Sequence, residues 1–217
     1  MTRAPDSGEL TGFDLQLAAA SSSTSHTAAR ESVAPVFWLT GLSGAGKSTL
    51  AEGARQRLMA AGTRCMVIDG DVLRAGLSAD LSFTAEDRAE NVRRAAEVAR
   101  LCAKAGIVTI VSLVSPFEVD RQRARQIVGG KFHEIFVDAS FPACRERDVK
   151  GLYKRAAEGK ILNFTGMDSP YERPREAELV IDTVGNDVGT CVGMLLDYVG
   201  RNGVTVRASI SSVSADR

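Results

Sequence analysis

The chain has 217 residues, which suits one α/β domain with a full core and some tail. Its 27 Lys and Arg are balanced by 27 Asp and Glu, so there is no bulk basic excess to attract nucleic acid, and any anion site must be a local cluster. The 44% hydrophobic and 25% charged shares are ordinary for a soluble globular protein, and no apolar run approaches the ~20 residues that cross a membrane.

Residues 1–33 read as a flexible tail. Ala18 to Ala29 is rich in Ala, Ser and Thr without a lasting period. The run Ser21 to Ser25 interrupts the apolar core that a secretory signal needs, and Asp6, Glu9 and Asp14 argue against an organellar transit peptide. Gly12 to Ala19 is a candidate short docking segment. The folded domain is expected over 34–205, with a second flexible tail over 206–217.

Val36 to Thr40 is a short apolar, β-prone run. Directly after it, Gly41 to Ser48 reads GLSGAGKS and fits G-x-x-x-x-G-K-[ST]. Gly41, Gly44 and Gly46 let the backbone curl and turn its N–H groups toward phosphate oxygens. Lys47 brings positive charge to the β and γ phosphates, and the Ser48 hydroxyl is a Mg²⁺ ligand. Leu50, Ala51, Ala54, Leu58 and Ala61 then recur at helical spacing until Gly62, so the helix dipole points at the same anion.

Cys65 to Asp69 reads as a second strand ending in Asp69-Gly70-Asp71. In an open parallel sheet that end lies beside the phosphate loop. One carboxylate can orient Mg²⁺ through water while the other takes a proton from an attacking hydroxyl; the bland reading is a strand-end turn. Val72 to Gly76 suggests a short helical turn, and Leu77 to Phe83 an irregular stretch. Thr84, with Asp87 three residues on, starts a long helix to Gly106. Arg88 and Asn91 share a face of it, and Arg74 precedes it. Guanidinium groups suit bidentate capture of phosphate or sulfate, and Phe83 suits stacking on a base. A solvated helix face is the plain alternative.

Ile107 to Val114 is a continuous β-branched run, the pattern of a central parallel strand. Ser115, Pro116 and Glu118 then fit a capping box, which gives Ser115 a structural role beside a phosphorylated or substrate-touching one. A helix to Val128 ends at Gly129-Gly130, Phe132 to Val137 forms a strand, and Pro142 to Arg147 opens a helix. From Asp148 to Arg175 the chain is charged. The basic residues Arg145, Arg147, Lys150, Lys154, Arg155 and Lys160, with Tyr153 and Phe164 interleaved, suit a mobile lid that closes over reacting phosphates. Leu179 to Ile181 is a last strand, and Asn186 or Asp187 caps a final helix. Alternating strands and helices imply a three-layer α/β fold with a mainly parallel sheet and a lid at about 147–175. Cys65, Cys102, Cys144 and Cys191 are far apart, and with only His26 and His133 they make no metal-ligand pattern. Reduced thiols and a cytoplasmic location are the expectation.

Taken together, these segments resemble adenylyl-sulfate kinases. The resemblance rests on GLSGAGKSTL (41–50), DGDVLRAGL (69–77), FTAEDRAENVRR (83–94), SPF-x-x-D-R (115–121), RDVKGLYKRA (147–156) and FTGMDSPYERP (164–174). It implies a P-loop fold and transfer of the γ-phosphoryl group of MgATP to the 3′-hydroxyl of adenosine 5′-phosphosulfate. It places Gly41, Leu42, Ser43, Gly44, Ala45, Gly46, Lys47, Ser48 and Thr49 on the ATP phosphates, with Arg147, Lys150 and Asn186 on the ATP side. Ser48 and Asp69 are implied at the metal. Asp71, Arg74, Phe83, Arg88, Asn91, Val114, Ser115, Asn163 and Phe164 are implied around the phosphosulfate, with Phe83 and Phe164 sandwiching its adenine. Lys47, Asp69, Asp71, Lys150 and Ser115 are the implied catalytic set, Ser115 being a phosphoserine position in bacterial members. A homodimer is implied too. The chain departs from the family pattern at Leu81-Ser82-Phe83, for L-G-F, and at Leu113 to Pro116, for F-I-S-P. Two other readings share the phosphate loop. One is a kinase for another nucleoside or a sugar. The other is a nucleotide sensor without turnover, which predicts erosion of Lys47, Ser48, Asp69, Asp71 or Lys150; all five are present.

Overall fold

A computed structural model describes residues 33–206. Apart from Val33 and Val206, the expected tails and the candidate docking segment lie outside the described residues. Five parallel strands form one sheet in the order β2-β3-β1-β4-β5: β1 (Val36–Thr40), β2 (Cys65–Asp69), β3 (Val108–Ser112), β4 (Phe132–Asp138) and β5 (Leu179–Asp182). All therefore end on the same side, which is where an α/β sheet offers a ligand crevice.

β1 is central and wholly buried, because both of its faces are covered. Phe37 and Leu39 pack with Ile110, Ile135 and the apolar stripes of α1 (Lys47–Ala60) and α7 (Val188–Arg201). Val36 and Trp38 point the other way, toward Val111, Phe132, α3 (Ala85–Lys104) and α4 (Glu118–Val128). The helix spacing seen in the sequence is the buried face of α1: Leu50, Ala51, Ala54 and Leu58.

Local capping accounts for several boundaries. The Thr84 hydroxyl accepts from the Asp87 N–H at 3.2 Å at the start of α3. Asp187, not Asn186, caps α7, accepting from the Thr190 N–H at 3.0 Å. Elsewhere tertiary contacts decide. α2 (Gly70–Ala75) starts earlier than the expected turn, because Asp69 caps it by accepting from the Asp71 N–H at 2.9 Å. β3 stops at Ser112 rather than running to Val114. After it the chain turns away, with the Thr40 hydroxyl bound to the Val114 carbonyl at 2.7 Å.

The capping box expected at Ser115 is not formed. The cap position of α4 is Phe117, which has no side-chain capping bond, and Ser115 lies outside the helix with φ 38°. Its hydroxyl accepts from the Trp38 indole N–H at 3.0 Å instead. A distant residue caps α4: the Glu172 carboxylate accepts from the Glu118 N–H at 2.7 Å. The charged segment expected as a lid has structure of its own. After α5 (Phe141–Arg147) it forms the short helix α6 (Leu152–Ala157), and at 169–173 it is tied to the strand ends.

Candidate active site

The phosphate loop joins β1 to α1. At Gly41 a Cβ would lie 2.4 Å from the Val137 carbonyl oxygen, and Gly46 has φ 102°, so neither position tolerates a side chain. Gly46 precedes α1 without any side-chain cap, which leaves the helix N–H groups to a ligand. Lys47 is 8% exposed, and its ammonium donates to the carbonyls of Gly41 at 2.8 Å and Leu42 at 2.7 Å. Burial pushes its pKa down to about 8.

The Ser48 hydroxyl donates to Asp69 at 2.6 Å and lies 3.2 Å from the Ser112 hydroxyl. Burial raises the Asp69 pKa, but the Ser48 hydroxyl, the Asp71 N–H, Ser112 and Lys150 outweigh it and hold the carboxylate below its ordinary value. Asp71, at the head of α2, forms an ion pair with Lys150, which reaches over from the segment between α5 and α6.

On the far side, Arg74 donates to the Ser82 carbonyl at 2.8 Å, and its guanidinium lies 4.3 Å from the Phe83 ring centroid. Arg88 donates to the Phe83 carbonyl at 3.1 Å and the Asn163 carbonyl at 2.7 Å. Burial and the nearby Arg74 charge hold Arg88 below its ordinary pKa. Asn91 is 3% exposed, and its Oδ1 has no partner among the described residues.

These groups line one cavity of about 630 Å³. Of the expected site residues it brings together Ser43, Gly44, Gly46, Lys47, Ser48, Thr49, Asp69, Asp71, Arg74, Phe83, Arg88, Asn91, Val114, Ser115, Arg147, Lys150, Phe164 and Asn186. Gly41, Leu42, Ala45 and Asn163 are not among its lining. Gly41 and Leu42 act through carbonyls on Lys47, and Ala45 is wholly buried. Asn163 meets the site through its main-chain oxygen, which accepts from Arg88 at 2.7 Å. Phe164 is 7% exposed and packs edge-on to Tyr153 at 4.9 Å, so it is a wall of the core as well as of the cavity.

Residues not assigned to the nucleotide sites beforehand complete the frame. The Thr183 hydroxyl donates to the Ala45 carbonyl at 2.8 Å and accepts from Arg147 at 3.2 Å, linking the phosphate loop to the end of α5. Tyr153, expected on the basic lid surface, is 3% exposed and donates to the Ser43 carbonyl at 2.9 Å. Thr183 and Ser112 carried one usable signal, since Ser112 ends β3 and Thr183 directly follows β5.

A glycine loop at the head of α1, paired carboxylates at the end of β2 and a basic segment beside them define a P-loop phosphotransferase. The family model described as adenylylsulphate kinase matches residues 33–182. An adenylyl-sulfate kinase of Paraburkholderia xenovorans is 52% identical over 164 residues, covering 76% of this chain and 92% of that protein. Among solved structures, the APS kinase CysC of Mycobacterium tuberculosis, in complex with AMPPNP and APS, is 40% identical, with a TM-score of 0.75, covering 77% of this chain and 98% of that one. A hexameric APS kinase from Thiobacillus denitrificans is 31% identical, with a TM-score of 0.60, covering 80% of this chain and 30% of that one. The chain belongs to the adenylylsulphate kinase family.

Proposed function

We propose that the chain transfers the γ-phosphoryl group of ATP to the 3′-hydroxyl of adenosine 5′-phosphosulfate, giving ADP and 3′-phosphoadenosine 5′-phosphosulfate. One observation carries this reading beyond family membership. A single cavity joins the phosphate loop to a pocket where two guanidiniums, Arg74 and Arg88, flank an aromatic ring, Phe83. That pocket suits an anionic nucleotide, whereas a neutral sugar would leave both charges unpaired.

The residues divide by side. The loop N–H groups and Lys47 hold the ATP phosphates, with Arg147 and Asn186 toward its nucleoside. The Ser48 hydroxyl and Asp69 offer hard oxygen donors, few in number, which fits a Mg²⁺ ion that keeps waters and takes phosphate oxygens as further ligands. When bound, that ion neutralises charge on the transferred group. The Ser48–Asp69 hydrogen bond supports Asp69 at the metal. Asp71 is left to orient the 3′-hydroxyl and accept its proton as the new P–O bond forms and the bond to ADP breaks. Lys150 neutralises Asp71 in the ligand-free protein and turns to the phosphates when they arrive. Arg74, Arg88 and Asn91 hold the phosphosulfate, and Phe83 and Phe164 flank the adenine. A homodimer and a cytoplasmic location are part of the proposal.

The test is ATP-dependent phosphorylation by the purified chain across adenosine 5′-phosphosulfate, AMP, adenosine and gluconate, read by HPLC. Turnover confined to the phosphosulfate is expected. Turnover on another acceptor and none on the phosphosulfate rejects the reading. Light scattering tests the dimer.

A further inference from the structure

Ser115 stands at the acceptor side of the cavity in a conformation that serine rarely adopts. Its φ of 38° is left-handed, and it is 2% exposed. For a residue with a Cβ this conformation is unfavourable, and such a residue persists only where its surroundings over-determine it. Here they do. The Trp38 indole N–H donates to the Ser115 hydroxyl at 3.0 Å, and Arg121 donates to the Ser115 carbonyl at 2.9 Å. The Thr40 hydroxyl donates to the preceding carbonyl, of Val114, at 2.7 Å. Its one hydrogen is thereby used, so the Tyr171 hydroxyl, 3.0 Å away, donates to Thr40 in turn.

The holders are themselves fixed. Arg121 is 1% exposed, and its Nε donates to Glu134 at 2.5 Å. Trp38 is fully buried in the central strand β1. A guanidinium and an indole N–H placed this deep would each be a liability without an acceptor, and Ser115 gives one to both. The Ser115 hydroxyl is turned toward Trp38 and the Leu113 carbonyl, 3.4 Å away.

We propose that Trp38 and Arg121 are positioning residues of the acceptor site. They lock Ser115 left-handed so that the Val114–Ser115 backbone, and not the Ser115 hydroxyl, forms the wall against which the acceptor nucleotide packs. The hydroxyl is a post for the indole, neither a phosphate carrier nor a substrate ligand. This rests on the functional reading above, since it takes the far side of the cavity as the acceptor pocket.

The experiment compares full-length Ser115→Ala, Ser115→Gly, Trp38→Phe, the Trp38→Phe/Ser115→Ala double variant and Arg121→Lys, with KM measured separately for the two nucleotides. Ser115→Ala keeps the backbone penalty and loses the indole bond. It should raise the phosphosulfate KM roughly tenfold and leave the ATP KM within about twofold. Ser115→Gly removes the penalty with the bond, so its rise should be smaller. Trp38→Phe should match Ser115→Ala, and the double variant should be no worse than either, because both delete one bond. Arg121→Lys keeps a charge beside Glu134 but loses the fork, and should also raise only the phosphosulfate KM; if it does not fold, the Trp38 and Ser115 variants decide. Equal impairment in Ala and Gly with a normal Trp38→Phe would assign the role to the hydroxyl and overturn the proposal. So would a matching rise in the ATP KM. A wild-type chain inactive on the phosphosulfate defeats the functional reading, whereas an active wild type with no effect across the variants defeats this proposal alone.

Discussion

Lys47 holds its charge in a place that disfavours it. Buried among loop carbonyls, it titrates near pH 8 where an exposed lysine does so at 10.5. Between those values the unfolded chain still holds the proton and the folded chain has released it. The group therefore opposes folding below about pH 8, and that penalty fades as pH rises through the window. Phosphate oxygens restore the charged form. ATP binding at about pH 9 should thus take up a proton, seen in calorimetry as a heat that varies with the buffer's ionisation enthalpy, and ATP affinity should weaken above pH 8. Lys47→Ala should lower kcat/KM by roughly 10²–10³-fold; near-normal kinetics would contradict the loop assignment. Lys47 and Ser48 were legible in the sequence because adjacent backbone dictates their geometry. The capping pattern at Ser115 is real in the sequence, but a residue 77 positions away outcompetes the helix for the hydroxyl.

Among the elements, the strands and the long helices could be read from periodicity, and their ends less well. β3 and α2 end or begin where a contact from another strand or the next residue intervenes. The start of α4 depends on Glu172, 54 positions away in sequence. No local pattern encodes that distance. Glu172→Ala should leave the Glu118 N–H without its carboxylate and remove a favourable charge from the positive end of the helix. The expected loss is about 1 kcal/mol, a fall of roughly 2–4 °C in Tm by calorimetry. An unchanged Tm would mean that water caps the helix equally well.

For the whole molecule, zero net charge hides a polarised interior. Lys47, Arg74, Arg88, Arg147 and Lys150 line one cavity together with Asp69 and Asp71. Substrate capture is therefore a local field effect, and raising the salt from about 50 to 500 mM should raise both nucleotide KM values while leaving the fold intact by circular dichroism. The layered fold was legible because strands and helices alternate. The foot of the basic segment was not. Tyr153 and Arg147 look like parts of a solvated basic surface, yet they fasten it to the Ser43 and Gly44 carbonyls. Aromatic and guanidinium groups serve a surface or a seam equally well, and only packing distinguishes the two.

Trp38 is the one tryptophan in the chain. Being fully buried with its N–H engaged, it should emit at short wavelength, giving the enzyme a native optical reporter. Titrating adenosine 5′-phosphosulfate should shift or quench that emission while a non-hydrolysable ATP analogue leaves it nearly still. The two occupancies would then be separable by fluorescence, without labelling and before any turnover.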